Sequence, residues 1–167
     1  VLKPKRSKSV ADREWYLVQC KVGETQRALE NLENQSYECF LPMIGVEKIR
    51  NRKRRLVQEP LFPGYLFIHM DQWEDNWQPI RSTRGVTKLV AFGGYPVAVD
   101  NDLVELLKQR CAQQEMLAAL NEGEKILIKE GPFAGLEAIF ESYDGNERVI
   151  ILLNFLNKQQ KLTIPIG

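Results

Sequence analysis

The sequence predicts an α+β fold. An antiparallel sheet flanked by helices is expected over residues 14–110, with a small second domain over 123–167. Three observations lead there. Short apolar runs alternate with polar positions and end at Gly or Pro, which is strand patterning. Two longer segments repeat apolar residues at helical spacing. The charge also changes sign along the chain. Residues 1–110 hold 18 Lys+Arg against 14 Asp+Glu, a balance of +4; residues 111–167 hold 5 against 8, a balance of −3. A basic first part and an acidic second part suggest two units that attract each other or face different partners.

The elements follow in order. WYLVQCKV (15–22) mixes aromatic, apolar and polar positions before Gly23 and reads as a strand. ETQRALENLENQS (24–36) reads as a helix, with Thr25 as candidate N-cap and Ala28, Leu29 and Leu32 on one face. YECFLP (37–42) is a second strand, ended by Pro42. VEKIRNRKRRLV (46–57) is a long basic hairpin or loop, with Asn51 near its middle. GYLFIHM (64–70) is another strand. Trp73 and Trp77, four apart, suggest a short helix. STRGVTKLVAFGG (82–94) is loop, strand and turn. DNDLVELLKQRCAQQEML (100–117) opens on cap-type residues and repeats Leu103, Leu107 and Cys111 as a helical stripe. Residues 111–122 read as a linker, partly helical.

The segment 123–167 fits two templates. KILIKE, LEAIFES, RVIILLNFL and KLTIPI can be cut as strands around GPFAG and DGNE, and DG is a hairpin signal. Val149, Leu152, Leu153 and Leu156 equally follow i, i+3, i+4, i+7, the helical pattern. Weak local specification leaves tertiary contacts to choose the state.

Bulk properties exclude several classes. At 44% hydrophobic and 27% charged, the chain can build a core and stay soluble. No apolar run approaches the ~20 residues of a membrane span, so no membrane role is expected. Residues 1–13 are basic without an apolar stretch and read as a disordered tail or a non-native remnant, not a secretory signal. Cys20, Cys39 and Cys111 are scattered and form no CxxC pair, which fits a reducing, cytoplasmic setting without disulfides. With His69 the single histidine, no metal set is expected. A Cys–His nucleophilic pair is conceivable, but buried thiols and a half-exposed strand histidine are the plainer reading. No Ser-His-Asp set, ligand spacing or GxxxxGK[ST] loop is present. The expectation is therefore no enzyme, no catalytic residue and no cofactor; a monomer is also expected.

The remaining signals concern binding. KIRNRKRR places six cations in eight residues. Such density repels itself unless anions are near, so Arg50, Arg52 and Lys53 are candidate phosphate contacts; a solvated hairpin tip is the alternative. Arg27, Asn31, Asn34 and Gln35 share one helical face beyond Lys21. Amides and arginine are the side chains that read base edges, although such faces are also ordinary solvated surface. In STRG, Thr83 and Arg84 sit on a loop, where arginine can pair with phosphate or stack on an unpaired base.

These residues carry a resemblance. WYLVQCKVGETQRALENLENQ, EPLFPGYLFI and IRSTRGVTKLVAFGG closely resemble the N-terminal domain of NusG-family transcription elongation factors. GEKILIKEGPFAGLEAIFES is similar to the KOW motif that follows in that family. Within it, VEKIRNRKR, TRGVTKLVAFG and LLNFLNK resemble the specialised, operon-specific antiterminators. The resemblance implies a protein that bridges the β′ clamp helices and β gate loop of RNA polymerase, suppressing pausing and termination. The implied polymerase surface is Phe62, Pro63, Tyr65 and Phe67, with Tyr16 and Val18 nearby, and a gate-loop contact at Asn76, Trp77 and Gln78. The implied contacts to a non-template single-stranded DNA hairpin are Lys21, Asn31, Asn34, Gln35, Thr83 and Arg84; Asn31 and Asn34 depart from the branch's usual residue types. The C-terminal domain would be a helical hairpin docked on the N-terminal domain, and a β-barrel when released, recruiting a small-ribosomal-subunit protein. Glu59–Arg148 would be an interdomain ion pair, and Phe140, Leu152, Phe155 and Leu156 would cover the aromatic strand. Two alternatives are a general elongation factor with a permanent KOW barrel and a KOW-type RNA- or ribosome-binding protein.

Overall fold

The computed structural model describes residues 13–71, 78–120, 137–142 and 144–163. The chain divides into two compact units: Val1–Phe40 with Tyr65–Asn101, and Leu41–Gly64 with Asp102–Gly167.

The first unit is built on an antiparallel sheet. Its strands are β1 (Glu14–Cys20), β2 (Glu38–Phe40), β5 (Tyr65–Met70), β6 (Val86–Leu89) and β9 (Ala98–Val99), in the order β2-β5-β1-β6 with β9 also on β1. β1 and β5 pair from Glu14↔Met70 to Gln19↔Tyr65. Because alternate residues face opposite sides, one face carries Trp15, Leu17, Gln19, Tyr65, Phe67 and His69, joined by Glu38 and Phe40 of β2. The other carries Tyr16, Val18, Leu66, Ile68 and Met70. Both faces are largely buried, with Tyr16, Leu17, Val18, Leu66, Phe67 and Ile68 all at 0–1% exposure.

Helix α1 (Thr25–Asn34) buries Ala28 and Leu32. Thr25 is not its cap: Glu24 occupies that position and pairs with Arg27 at 2.8 Å instead. The unit is completed by α2 (Gln78–Arg81) and a small ribbon of β7 (Ala91–Phe92) and β8 (Tyr95–Pro96).

The second unit holds the basic hairpin. β3 (Met43–Arg50) pairs with β4 (Lys53–Pro60) along its whole length, to Arg50↔Lys53. Asn51 and Arg52 both have positive φ (53° and 62°), the geometry of a two-residue turn that matches strand twist. Helix α3 (Asn101–Leu120) continues through residues 111–120, so most of the expected linker is helical. Helices α4 (Glu137–Glu141) and α5 (Gly145–Thr163) follow. Of the two-template segment, the described residues 137–141 and 145–163 are helical. Its DG dipeptide starts a helix rather than a hairpin: the Asp144 Oδ1 accepts from the Asn146 N–H at 2.9 Å, a helix-capping bond. The GPFAG stretch lies outside the described residues.

Candidate functional site

Register sorts the aromatic residues. Tyr65 and Phe67 share their face with Leu17 and Gln19, whereas Tyr16 and Val18 pair with Ile68 and Leu66 and point the opposite way. The six residues named for the polymerase surface are therefore not one surface. Period-two alternation excludes Tyr16 and Val18 from the Tyr65–Phe67 face. On that face Phe40 stacks on Phe67 at 5.9 Å, and His69 stacks on Trp15 at 4.6 Å. His69 Nδ1 also lies 2.9 Å from Glu38 Oε1. Burial pushes the Tyr16 hydroxyl well up, reinforced by the Glu14 carboxylate that accepts its hydrogen bond.

Phe62 and Pro63 fall in the turn after β4, within the second unit. Phe62 is buried and Pro63 exposed. This turn is gripped by α5. Arg148, at 0% exposure, donates from Nε to the Leu61 carbonyl (2.7 Å) and from Nη1 to the Ser142 carbonyl (2.8 Å). Its Nη2 reaches Glu59 Oε1 at 3.0 Å and the Pro60 carbonyl at 3.5 Å. Each guanidinium nitrogen is thus satisfied, which a buried charge requires. Gly145 opens α5 against Pro63; a Cβ there would overlap the proline ring. Of the residues named for the helical cover, Leu152 and Leu156 are buried and Phe140 and Phe155 half-buried.

A polar cluster forms at the end of β1, in the first unit. The Lys21 N–H donates to the Gly85 carbonyl at 2.8 Å. Asn31 Nδ2 donates to the Arg84 carbonyl at 3.3 Å, and Gln35 Nε2 to Thr83 Oγ1 at 2.8 Å. Thr83 Oγ1 in turn donates to the Pro79 carbonyl at 2.6 Å. Gly85 has φ +95°, and a Cβ would lie 2.8 Å from the Ala28 nitrogen, so glycine lets the loop close onto α1. The contacts gather Lys21, Asn31, Gln35, Thr83 and Arg84, with Asn34 exposed at the end of α1. They also divide the labour. Thr83 is buried and its hydroxyl committed, while Lys21, Asn34 and Arg84 face solvent.

Arg50, Arg52 and Lys53 belong to the hairpin arm. The ladder puts Lys53 and Arg55 on one face and Glu47, Ile49, Arg54 and Leu56 on the other. Ile49 and Leu56 are 72% and 56% exposed. Asn76 and Trp77 lie outside the described residues; Gln78 begins α2 and is exposed.

Burial pushes the Cys20 thiol to about 12. Cys39 reaches about 12 as well, through burial first and then nearby Glu33. At neutral pH both are thiols, the unreactive form. Among the described residues no group of His, Cys, Asp and Glu could hold a metal, and no helix is long and apolar enough to cross a membrane.

Sequence reasoning missed Arg110. It is 4% exposed on α3, and its Nη2 lies 2.5 Å from Glu137 Oε1. The available signal was spacing: Arg110 follows Leu103 by seven residues and Leu107 by three, on the stripe assigned to Cys111.

Comparison with known proteins identifies the family. Residues 13–108 match the family model described as transcription termination factor nusG. The "Transcription termination/antitermination protein NusG" of Thermus thermophilus is 32% identical over 143 residues, covering 72% of this chain and 77% of that protein. The protein of the same name from Campylobacter jejuni is 30% identical over 148 residues, covering 81% and 83%. A solved structure, "Domain interaction in Thermotoga maritima NusG", superposes with a TM-score of 0.46 at 23% identity, over 74% of this chain and 69% of that one. That likeness is too slight to carry weight.

Proposed function

This chain belongs to the NusG family of transcription factors, and from that premise we propose that it is a specialised antitermination factor of the RfaH type, held in a covered state by its C-terminal helices. It has no chemistry of its own. Its Phe62–Phe67 segment binds the β′ clamp helices of RNA polymerase, and the segment around Asn76–Gln78 binds the β gate loop. Holding both favours the closed, processive enzyme by binding that conformation more tightly. The Lys21–Arg84 cluster binds a non-template single-stranded DNA hairpin, and the arm cations Arg50, Arg52 and Lys53 add phosphate contacts. Once released, the C-terminal segment refolds as a barrel and engages a small-ribosomal-subunit protein.

One observation supports this reading most. Helix α5 engages the turn 59–63, part of the proposed polymerase surface, through Arg148 and the Gly145–Pro63 approach. A chain so engaged must let go of that turn before presenting it. The names of the curated relatives favour a second reading, a general NusG-type factor that needs no release. Capture of the full chain on core RNA polymerase separates the two. Glu59→Ala, which loosens the Arg148 grip, is expected to raise capture at least tenfold. Equal capture by parent and variant supports the general factor; no capture by either refutes both.

A further inference from the structure

Two arginines are buried among the described residues, and the reading above uses only Arg148. The other, Arg110, lies on the α3 stripe of Leu103, Val104 and Leu107. It is joined to α4, 27 residues on, by the bond to Glu137, and its guanidinium sits 4.7 Å from the centre of the Phe140 ring. Among the described residues its Nε has no acceptor. We infer that Arg110, Glu137 and Phe140 form a releasable retention lock that holds α4 on α3, distinct from the grip of Arg148 on the 59–63 turn.

The residue types argue for release as much as for retention. An apolar residue at position 110 would gain from being covered and lose from being uncovered. A buried arginine behaves in the opposite way. Covered, it loses hydration and needs a counter-charge; uncovered, it is well solvated. Desolvation offsets most of the attraction, so the pair adds little retention beyond an apolar pair of similar volume. It does fix placement. The carboxylate must meet the fork and the ring must meet the flat face of the guanidinium. Retention stands on these contacts alone, whereas its regulatory meaning rests on the covered state proposed above.

Site-resolved hydrogen exchange on the full chain tests the lock. Glu137→Ala leaves Arg110 without its carboxylate and is expected to speed exchange of the 139–142 amides about tenfold. The double variant Arg110→Met with Glu137→Leu is expected to exchange no faster than the parent, because an apolar pair retains at least as well. An acceleration below threefold in Glu137→Ala overturns the lock; a double variant as fast as Glu137→Ala overturns its releasable character. Should Glu137→Ala fail to fold, Arg110→Lys, which keeps the charge but loses the fork and flat face, is read by the same thresholds. Polymerase capture by Glu137→Ala bears separately on the covered state. Faster exchange without gained capture supports the lock and refutes the covering role.

Discussion

Arg148 and Arg110 are both buried cations within one unit, yet they are held in different ways. Arg148 meets three backbone carbonyls and one carboxylate, with every nitrogen engaged. Among the described residues Arg110 meets one carboxylate and an aromatic ring, with no acceptor for Nε. Backbone carbonyls move only if the chain moves, so the Arg148 site is fixed by the turn it grips. The Arg110 site depends on side chains that can swing away. Two ion pairs of similar appearance are thus expected to differ in strength and in how sharply they let go.

Arg148→Met should break the comparison most strongly. It orphans the Leu61 and Ser142 carbonyls and leaves Glu59 without its cation; removing one partner of a buried pair costs about 3–5 kcal/mol. Urea unfolding should show that loss, and a loss under 1 kcal/mol would mean the turn does not depend on the arginine. Gly145→Ala should come next, at about 1–3 kcal/mol, the usual range for overpacking. Its added methyl collides with Pro63, so Pro63→Ala in the same chain should restore most of the stability. A reference follows from the sheet, which contains neither arginine. Cys20 rises from 9.0 to about 12 on folding. The unfolded chain therefore loses its proton first, and stability should fall as pH rises above about 9, by up to ~1.4 kcal/mol per pH unit for this thiol. Cys20→Ala should remove this thiol's share of that alkaline limb, leaving those of Cys39 and Tyr16, equally with or without Arg148→Met. The smallest effect belongs to Lys108→Gln. Its pair with Glu105 is a solvent-facing i,i+3 contact at 3.6 Å, worth about 0–0.5 kcal/mol, and it should leave both arginine sites unchanged by hydrogen exchange.

The same contrast explains what could be read from the sequence. The β1 and β5 strands were legible because Gly and Pro bound short apolar runs. Which face each residue takes was harder. A sheet buried on both sides places apolar residues at odd and even positions alike, so Tyr16 and Phe67 look equivalent until the register separates them. The helical state of α5 was legible only as one of two options. DG serves a hairpin turn and a helix cap equally well, and the bond from the Asn146 N–H to Asp144 appears only in three dimensions. The polar cluster was half visible: Asn31 and Gln35 share a helical face by spacing, but their partners Thr83 and Arg84 lie about fifty positions away. Arg110 was hidden by expectation, since a cation beside a leucine stripe is usually solvated.

The hairpin arm carries one more consequence. Among the described residues β3 and β4 pair only with each other, so the arm is all edge, with an unpaired row of backbone groups on either side. Exposed Ile49 and Leu56 would make those edges adhesive. The cations beside them act as gatekeepers, keeping one arm from adding to another. Salt thins that guard, since the screening length falls from about 10 Å at 0.1 M to about 3 Å at 1 M. The charge proposed to meet phosphate would therefore also keep the molecules apart in solution. Light scattering that rises with added salt, and rises further in Arg54→Gln, would reveal this second use.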